Sequence, residues 1–156
     1  GDEPMAVPEM LDEAVAPLLA HPERRCVTLI ARIPTVEEFN DPNCVKVIVD
    51  REGRLMYQSR APIPTGDPKT KPMFKQIGVY AFRKDALLEF HRLEPTPLEL
   101  AESSDLIRAC EHGLPIHTAV TEHATHGVDT PEDLEAIKRA MAKDPLMAKY
   151  LPARAA

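Results

Sequence analysis

The hydrophobic positions along the first half of the chain follow two spacings, and each spacing predicts a different element. Apolar residues recur every three or four positions from Pro8 to Ala20, which is typical of a helix with one buried face. A continuous apolar run from Cys26 to Ala31 predicts a buried strand. Two further runs around a turn predict a hairpin of Val45–Val49 and Leu55–Tyr57, and another strand is predicted from Gln76 to Phe82.

The rest of the chain continues the alternation of helices and strands. Thr130 followed by Pro131 is a typical helix beginning, since threonine caps and proline fits the first turn. Because strands are separated by helices and the hairpin adds an antiparallel pair, the pattern indicates an α/β domain with a mixed sheet. The remaining predictions are helices over Lys84–His91, Pro97–Glu111 and Thr130–Ala142, a strand over Ile116–Val120, and loops at Phe39–Asn43 and Pro62–Pro72.

Length and composition then exclude several classes of protein. With 156 residues, 44% hydrophobic and 28% charged, the chain predicts one globular domain over residues 1–150 and a frayed tail over 151–156. No apolar run is long enough to cross a membrane and no export leader is recognisable, so we expect a cytoplasmic protein. The net charge of -6 argues against nucleic-acid or anionic-membrane surfaces. Cys26, Cys44 and Cys110 are too widely spaced for a zinc site and are interpreted as small buried hydrophobic residues.

Four carboxylates are candidates for binding a metal ion or another ligand. Asp2 follows a glycine at one end of the chain, and Asp129 directly precedes a helix beginning at the other. Together they would make a Mg²⁺ pair, although the spacing alone favours a solvated terminus for Asp2 and a helix-dipole partner for Asp129. Glu99 and Glu102 are three residues apart and share a helix face, where they either bind something between them or face solvent.

One arginine stands out for a different reason. Arg60 leaves the hairpin for a proline-rich loop, a position suited to bidentate recognition of a carboxylate or phosphate, or to a surface salt bridge. The histidines between His112 and His126 lack the helical spacing that a zinc site prefers. No phosphate-binding glycine loop and no nucleophile elbow occurs. Without a family resemblance, the residues therefore predict an α/β domain with a candidate acidic metal site and nothing more specific.

Six segments, read in order, add a resemblance to a known family. They are Gly1–Pro4, Asp41–Val47, Tyr57–Pro64, Lys75–Phe82, Pro95–Glu99 and Gly127–Leu134. In this order they resemble the cytidylyltransferases that activate 3-deoxy-manno-octulosonate (Kdo). The resemblance implies an α/β, nucleotide-diphospho-sugar transferase-like (Rossmann-like) mixed sheet with helices on both faces, incomplete in this chain. It also implies transfer of CMP from CTP to the sugar acid, with diphosphate released, by a homodimer.

The resemblance implies roles for particular residues. Asp2 and Asp129 match the family's aspartates that bind Mg²⁺ and serve catalysis, a role that suits hard oxygen ligands beside phosphates. The positions around the sugar acid correspond to Arg60, Gln76, Tyr80, Glu99 and Glu102.

Two departures from the family pattern change the expectation. Gly1 matches a point inside the family's domain, so we expect the C-terminal portion of a longer enzyme that does not turn over CTP by itself. A truncated, non-catalytic binding or assembly module is the alternative. In addition, Thr65–Pro68 replaces an aromatic residue followed by arginines, and Gln76 replaces a histidine. These changes leave open a related acid, such as an amino-substituted Kdo or a phosphonate.

Overall fold

The computed structural model describes residues 3–123, 127–128, 130–144 and 146, which fall into two compact units. The main unit is Val7–His123, and the terminal unit combines Gly1–Ala6 with Ala124–Ala156. The predicted boundary of a single domain over residues 1–150 stays a prediction, and the predicted frayed tail lies outside the described residues.

The main unit contains five strands and five of the helices. The strands are β1 (Cys26–Arg32), β2 (Lys46–Val49), β3 (Leu55–Ser59), β4 (Phe74–Phe82) and β5 (His117–Val120). The helices are α1 (Pro8–Ala20), α2 (Val36–Asn40), α3 (Lys84–Arg92), α4 (Pro97–Glu102) and α5 (Leu106–Glu111), and the terminal unit adds α6 (Pro131–Met141).

The strands form one mixed sheet in the order β3-β2-β4-β1-β5. Strand β1 pairs in parallel with β5 and antiparallel with β4, and β2 pairs antiparallel with both β3 and β4. The mixed sheet predicted from the hydrophobic pattern is therefore confirmed. Six of the seven residues of β1 are buried, which agrees with its place inside the sheet, between β4 and β5.

Helices cover both faces of this sheet, as the resemblance implied. Alternate residues of a strand point to opposite faces, so Leu29 packs in a cluster with Met10 of α1. Its neighbour Ile30 packs with Leu106 of α5 on the other face. Burying a side chain of this size stabilises the fold by about 1.5–3 kcal/mol, so these two layers hold the sheet together.

The hairpin of β2 and β3 leaves the sheet after a short contact with β4. Only Lys46 and Val47 of β2 pair with β4, and the far end of the hairpin reaches β5, where the Leu55 amide donates to the Ile116 carbonyl at 2.8 Å. Gly53, with φ +73°, occupies the turn there. The opposite end of the hairpin therefore lies where β2, β3 and β4 all meet, and there Lys46 pairs with Ser59 on one side and Lys75 on the other.

One segment predicted as a loop is partly helical. The prediction for Phe39–Asn43 is wrong at its start, because α2 ends at Asn40. The Thr35 hydroxyl accepts a hydrogen bond from the Glu38 amide at 3.1 Å and begins the helix, while Phe39 is buried. A threonine cap and one buried aromatic residue suffice for a helix this short when tertiary packing supplies the rest.

The single helix predicted over Pro97–Glu111 is two helices, so that prediction is wrong in its middle. Ser103 ends α4 in a left-handed conformation with φ 50°. The break turns the buried Ser104 toward the sheet, where its hydroxyl accepts a hydrogen bond from the Gln58 amide group. The four residues Glu102–Asp105 are all polar, and the prediction of one helix spans this interruption of the apolar pattern.

The terminal unit contains α6, which begins as predicted. The Thr130 hydroxyl accepts from the Asp133 amide at 3.1 Å, and the Asp133 carboxylate accepts from the Thr130 amide at 2.9 Å. This reciprocal capping box satisfies two amides that a helix beginning would leave without partners. Among the described residues, no helix is long and apolar enough to cross a membrane.

Candidate functional site

Arg60 lies directly after β3, at the end of the hairpin that adjoins β4. Its guanidinium group donates from Nη1 to the Pro42 carbonyl at 3.0 Å and from Nε to the Glu102 carbonyl at 3.3 Å. A guanidinium carries five N–H groups in a planar fork. Within the described part of the chain, three of these, including both on Nη2, are left for another acceptor. This geometry suits an end-on contact with a carboxylate.

The Glu102 carboxylate contacts the same region from the end of α4. It accepts hydrogen bonds from the Ser59 hydroxyl at 2.7 Å, the Arg60 amide at 3.0 Å and the Tyr57 hydroxyl at 3.1 Å. Burial opposes ionisation of this carboxyl, but the hydrogen bonds from Ser59, Arg60 and Tyr57 outweigh burial and lower its pKa. The structure thus brings Arg60 and Glu102 together, with the carboxylate holding the Arg60 backbone.

Lys46, at the start of β2, is a member of this region that the sequence predictions did not include. Its ammonium group donates to three main-chain carbonyls, those of Asp41, Cys44 and Arg60, each at 2.7 Å. Burial lowers the pKa of this lysine. The one available signal in the sequence is a lysine at the head of an otherwise apolar strand, and a lysine there more often faces solvent.

Glu99 lies apart from this region in its contacts, although it precedes Glu102 by three residues. Its carboxylate forms a two-point ion pair with Arg108, one branch of which joins Nε to Oε2 at 2.7 Å. It also accepts from the Thr96 amide at 3.3 Å, in a capping box that begins α4. The hydrogen bonds with Arg108 lower the pKa of Glu99 in spite of burial. The predicted contact of Glu99 with a sugar acid stays a prediction.

Gln76 and Tyr80 form a second pair of predicted site residues that the structure brings together. They lie four residues apart on β4, and the Gln76 amide group donates to the Tyr80 hydroxyl. The Gln76 main-chain amide donates to the Val45 carbonyl at 2.9 Å, which places Gln76 beside the start of β2. Its side-chain Oε1 is buried without a hydrogen-bond partner among the described residues. A buried acceptor in that state favours a ligand that donates.

The two aspartates predicted to bind Mg²⁺, Asp2 and Asp129, lie outside the described residues. Within the described ranges, no group of three histidine, cysteine, aspartate or glutamate side chains could hold a metal ion. The structure therefore leaves the predicted metal site untested.

The three cysteines are free thiols and offer no activated nucleophile. Burial raises the pKa of Cys26 to about 12 and the pKa values of Cys44 and Cys110 to about 11. A thiol must ionise to act as a nucleophile or a metal ligand. The interpretation of these residues as small hydrophobic side chains is consistent with this chemistry, although only Cys26 is fully buried.

Comparisons with known proteins show which family this chain is similar to. A family model described as Cytidylyltransferase matches residues 1–117. The 3-deoxy-manno-octulosonate cytidylyltransferase of Geobacter sulfurreducens is 43% identical over 149 residues, which cover 88% of this chain and 60% of that protein. The protein of the same description from Solibacter usitatus is 43% identical over 141 residues, covering 89% of this chain and 56% of its own length.

A solved structure shows the same likeness in three dimensions. It is described as CMP:2-keto-3-deoxy-manno-octonic acid synthetase complexed with CTP, and it superposes with a TM-score of 0.82 at 33% identity. The match covers 91% of this chain and 59% of that one. The chain thus spans about three fifths of the length of these relatives.

The mixed sheet with helices on both faces is that of a nucleotide-diphospho-sugar transferase fold, as predicted. Within that class, the matched family model and the relatives decide the group. The chain belongs to the cytidylyltransferase family, and the resemblance found in its sequence is confirmed.

Proposed function

We propose that this chain is part of an enzyme that transfers CMP from CTP to Kdo or a closely related sugar acid. In this reaction the anomeric hydroxyl oxygen of the acid bonds to the α-phosphorus of CTP. The bond from that phosphorus to the diphosphate breaks, diphosphate leaves, and the hydroxyl proton is released. The proposal is supported by relatives at about 40% identity that carry this description and by a structural neighbour that binds CTP.

The observation that carries the proposal is that the Arg60 guanidinium is held in place and still has N–H groups left to bind a ligand. A sugar acid differs from an ordinary sugar by its carboxylate, and recognition of that group calls for a fixed cation with free N–H groups. Arg60 provides this cation, because two of its N–H groups fix the guanidinium on the Pro42 and Glu102 carbonyls. We propose that the remaining N–H groups bind the carboxylate of the acid.

Gln76 and Tyr80 are proposed to contact the hydroxyl groups of the same substrate. The buried Oε1 of Gln76 is an acceptor, so it suits a hydroxyl or an ammonium group of the ligand. The acceptor supports an acid with a donor at this point and leaves room for an amino-substituted Kdo as the substrate. A phosphonate would bring further acceptors instead and is the less suitable alternative at this position.

Several parts of the proposal depend on the resemblance. Asp2 and Asp129 are proposed as Mg²⁺ ligands on the chemistry of carboxylate oxygens, and the ion would neutralise charge on the phosphates when bound. A homodimer that works in the cytoplasm likewise remains an expectation from the family.

The experiment is a gain of activity in a chimera. The N-terminal part of the Geobacter sulfurreducens enzyme is joined to Gly1, because the resemblance aligns Gly1 with a point inside the relatives. We expect CTP-dependent release of diphosphate that requires Kdo and Mg²⁺. Arg60→Met should raise the KM for the acid by roughly 100-fold, the effect of losing a charged contact of about 2.7 kcal/mol.

The matched control is Arg92→Met, which removes an exposed arginine at the end of α3. This variant should leave the KM for the acid within about twofold of the parent chimera, because surface substitutions away from a site change little. A folded chimera that binds CTP yet releases no diphosphate with Kdo or its amino-substituted form would contradict the proposed function. That result would favour the non-catalytic module.

A further inference from the structure

The lysine at the start of β2 buries a charged group, which costs free energy, and its ammonium group is surrounded by carbonyl oxygens. Lys46 is 0% exposed to solvent, and its ammonium group meets carbonyl oxygens in place of a carboxylate. Burying a charge is unfavourable unless every polar contact is replaced. An ammonium has three N–H donors, and here three carbonyls accept them. A neutral apolar side chain would fill this space without the cost, so the position calls for an explanation beyond packing.

One of the three carbonyls belongs to Arg60, and this links the lysine to the candidate site. The Arg60 carbonyl accepts from the Lys46 ammonium at 2.7 Å, while the Arg60 amide donates to the Glu102 carboxylate at 3.0 Å. Both main-chain polar groups of Arg60 are therefore held by charged side chains of opposite sign. Few residues after a strand end are fixed in this way, because loop backbones usually turn to water.

The same lysine also holds the turn that carries an acceptor of the Arg60 guanidinium, the Pro42 carbonyl. Its other two acceptors, the Asp41 and Cys44 carbonyls, bracket the turn that contains Pro42. The Pro42 carbonyl in turn accepts from Arg60 Nη1 at 3.0 Å. Movement of the turn would carry away this acceptor, so Lys46 controls both the backbone of Arg60 and one support of its side chain.

We propose that Lys46 is a positioning residue for Arg60, which it holds in place to receive the carboxylate of an acidic substrate. The inference rests on the proposed function for the identity of that substrate. Because Lys46 itself is buried away from solvent, the proposal gives it no direct contact with the ligand. Misplacement of a binding group by about 1 Å can reduce the rate 100-fold, so the loss of this lysine should act at a distance on recognition of the acid.

Lys75 provides a matched control in the same part of the sheet. It is the residue of β4 that pairs with Lys46, and it is also largely buried, with an ion pair to Glu38 at 2.5 Å. Its side chain has no contact with Arg60 among the hydrogen bonds of the described residues. Lys46→Met and Lys75→Met therefore remove the same group from neighbouring positions, and only the first should affect Arg60.

The first test needs no activity and uses the 156-residue chain. Hydrogen exchange of the Arg60 main-chain amide is compared in the parent chain and the two variants. We expect Lys46→Met to speed this exchange about tenfold or more, because the residue loses its fixed position, and Lys75→Met to change it less than about twofold. An unchanged Arg60 amide in Lys46→Met, or the same acceleration in both variants, overturns the proposal.

The second test is a double-mutant cycle in the chimera described above. Lys46→Met should raise the KM for the acid about tenfold to 100-fold and leave the KM for CTP within about twofold. In the Arg60→Met background the same substitution should change the KM for the acid less than about twofold, since its effect passes through Arg60. Equal losses for acid and CTP, or full additivity with Arg60→Met, overturn the proposal.

A variant that folds poorly does not leave the question open. Lys46→Arg retains the charge but presents a planar fork that does not aim three donors at three carbonyls, and it should show the same acid-specific loss. In the parent chain, the Lys46 ammonium protons should exchange slowly, with hydrogen-bond couplings to the three carbonyls, and rapid exchange contradicts the contacts. If the parent chimera is inactive while the Arg60 exchange effect appears, the proposed function fails and the positioning contact remains.

Discussion

Two glutamates three residues apart on α4 have the same charge and different surroundings. Glu99 is held by a cation, Arg108, whose guanidinium also lies over the Phe90 ring at 5.3 Å from its centroid. Glu102 is held by donors that carry no charge: two hydroxyl groups and the amide of Arg60. The first contact joins α4 to α5, and the second joins α4 to β3.

The difference shows how one helix can carry a structural contact and a site contact together. A buried ion pair is lost as a unit, because either partner without the other is a buried unpaired charge. A carboxylate held by neutral donors instead fixes the position of those donors, and one of them is the backbone of Arg60. We therefore expect Glu99 to affect mainly stability and Glu102 to affect mainly recognition of the acid.

The largest expected effect is on stability, from breaking the ion pair. Arg108→Met leaves the Glu99 carboxylate, 8% exposed, without its cation. The melting temperature of the chain should fall by roughly 6–12 °C, because removal of one partner of a buried pair is strongly destabilising. Thermal unfolding followed by circular dichroism measures this change. The double variant Glu99→Met with Arg108→Leu should regain about half of the loss, and a double variant as unstable as the single one would contradict a buried-charge origin.

The second effect should appear in substrate recognition. Glu102→Gln keeps the shape of the side chain but turns an NH₂ group toward one of three donors. In the chimera we expect the KM for the acid to rise about tenfold, a change of about 1.4 kcal/mol, while the melting temperature falls by only roughly 2–4 °C. Steady-state kinetics and thermal unfolding on the same preparation separate the two effects. A stability loss equal to that of Arg108→Met would show that Glu102, like Glu99, acts mainly on the stability of the fold.

A third effect is on the pH dependence of stability. The folded protein lowers the pKa of both glutamates from the ordinary value of 4.5, for Glu99 chiefly through Arg108. A lowered carboxyl pKa stabilises the folded state above pH 4.5, and this stabilisation is lost as the pH falls further through the folded pKa. The difference in melting temperature between the parent and Arg108→Met should therefore shrink below pH 4.5. A difference that is constant from pH 7 to pH 3 would exclude the ionised pair as its cause.

The smallest expected effect comes from the longest of the three hydrogen bonds to the Glu102 carboxylate. Tyr57→Phe removes one hydroxyl hydrogen bond of 3.1 Å and leaves the Ser59 and Arg60 donors in place. The free energy of unfolding should fall by about 1 kcal/mol or less. The KM for the acid should also change little, by less than about threefold. Chemical denaturation measures the first quantity. In the parent chain, burial and the contact with Glu102 raise the pKa of Tyr57, so ultraviolet titration should show a late-ionising tyrosine that Tyr57→Phe removes.

Much of the fold could be predicted because the hydrophobic pattern is local. The helix Pro8–Ala20 was predicted with the bounds that it has, and β1 differs from its prediction by one residue at its end. Capping chemistry is local as well, so Thr130 and Pro131 marked the beginning of α6 correctly. The two errors, α2 and the break at Ser103, lie where a buried contact outweighs the local pattern.

The sequence by itself determined the family and the elements, since ordered motifs and hydrophobic spacing are written in neighbouring residues. It also singled out Arg60, Gln76 and Glu102, but their partners came only from the fold. The tertiary structure decided that Glu99 meets Arg108, that Glu102 holds the Arg60 amide, and that Lys46 is buried against three carbonyls. The contacts of Glu102 and Lys46 with Arg60 are made to its main-chain groups. Every residue has such groups, so a carbonyl that accepts a hydrogen bond leaves no mark on the identity of its residue.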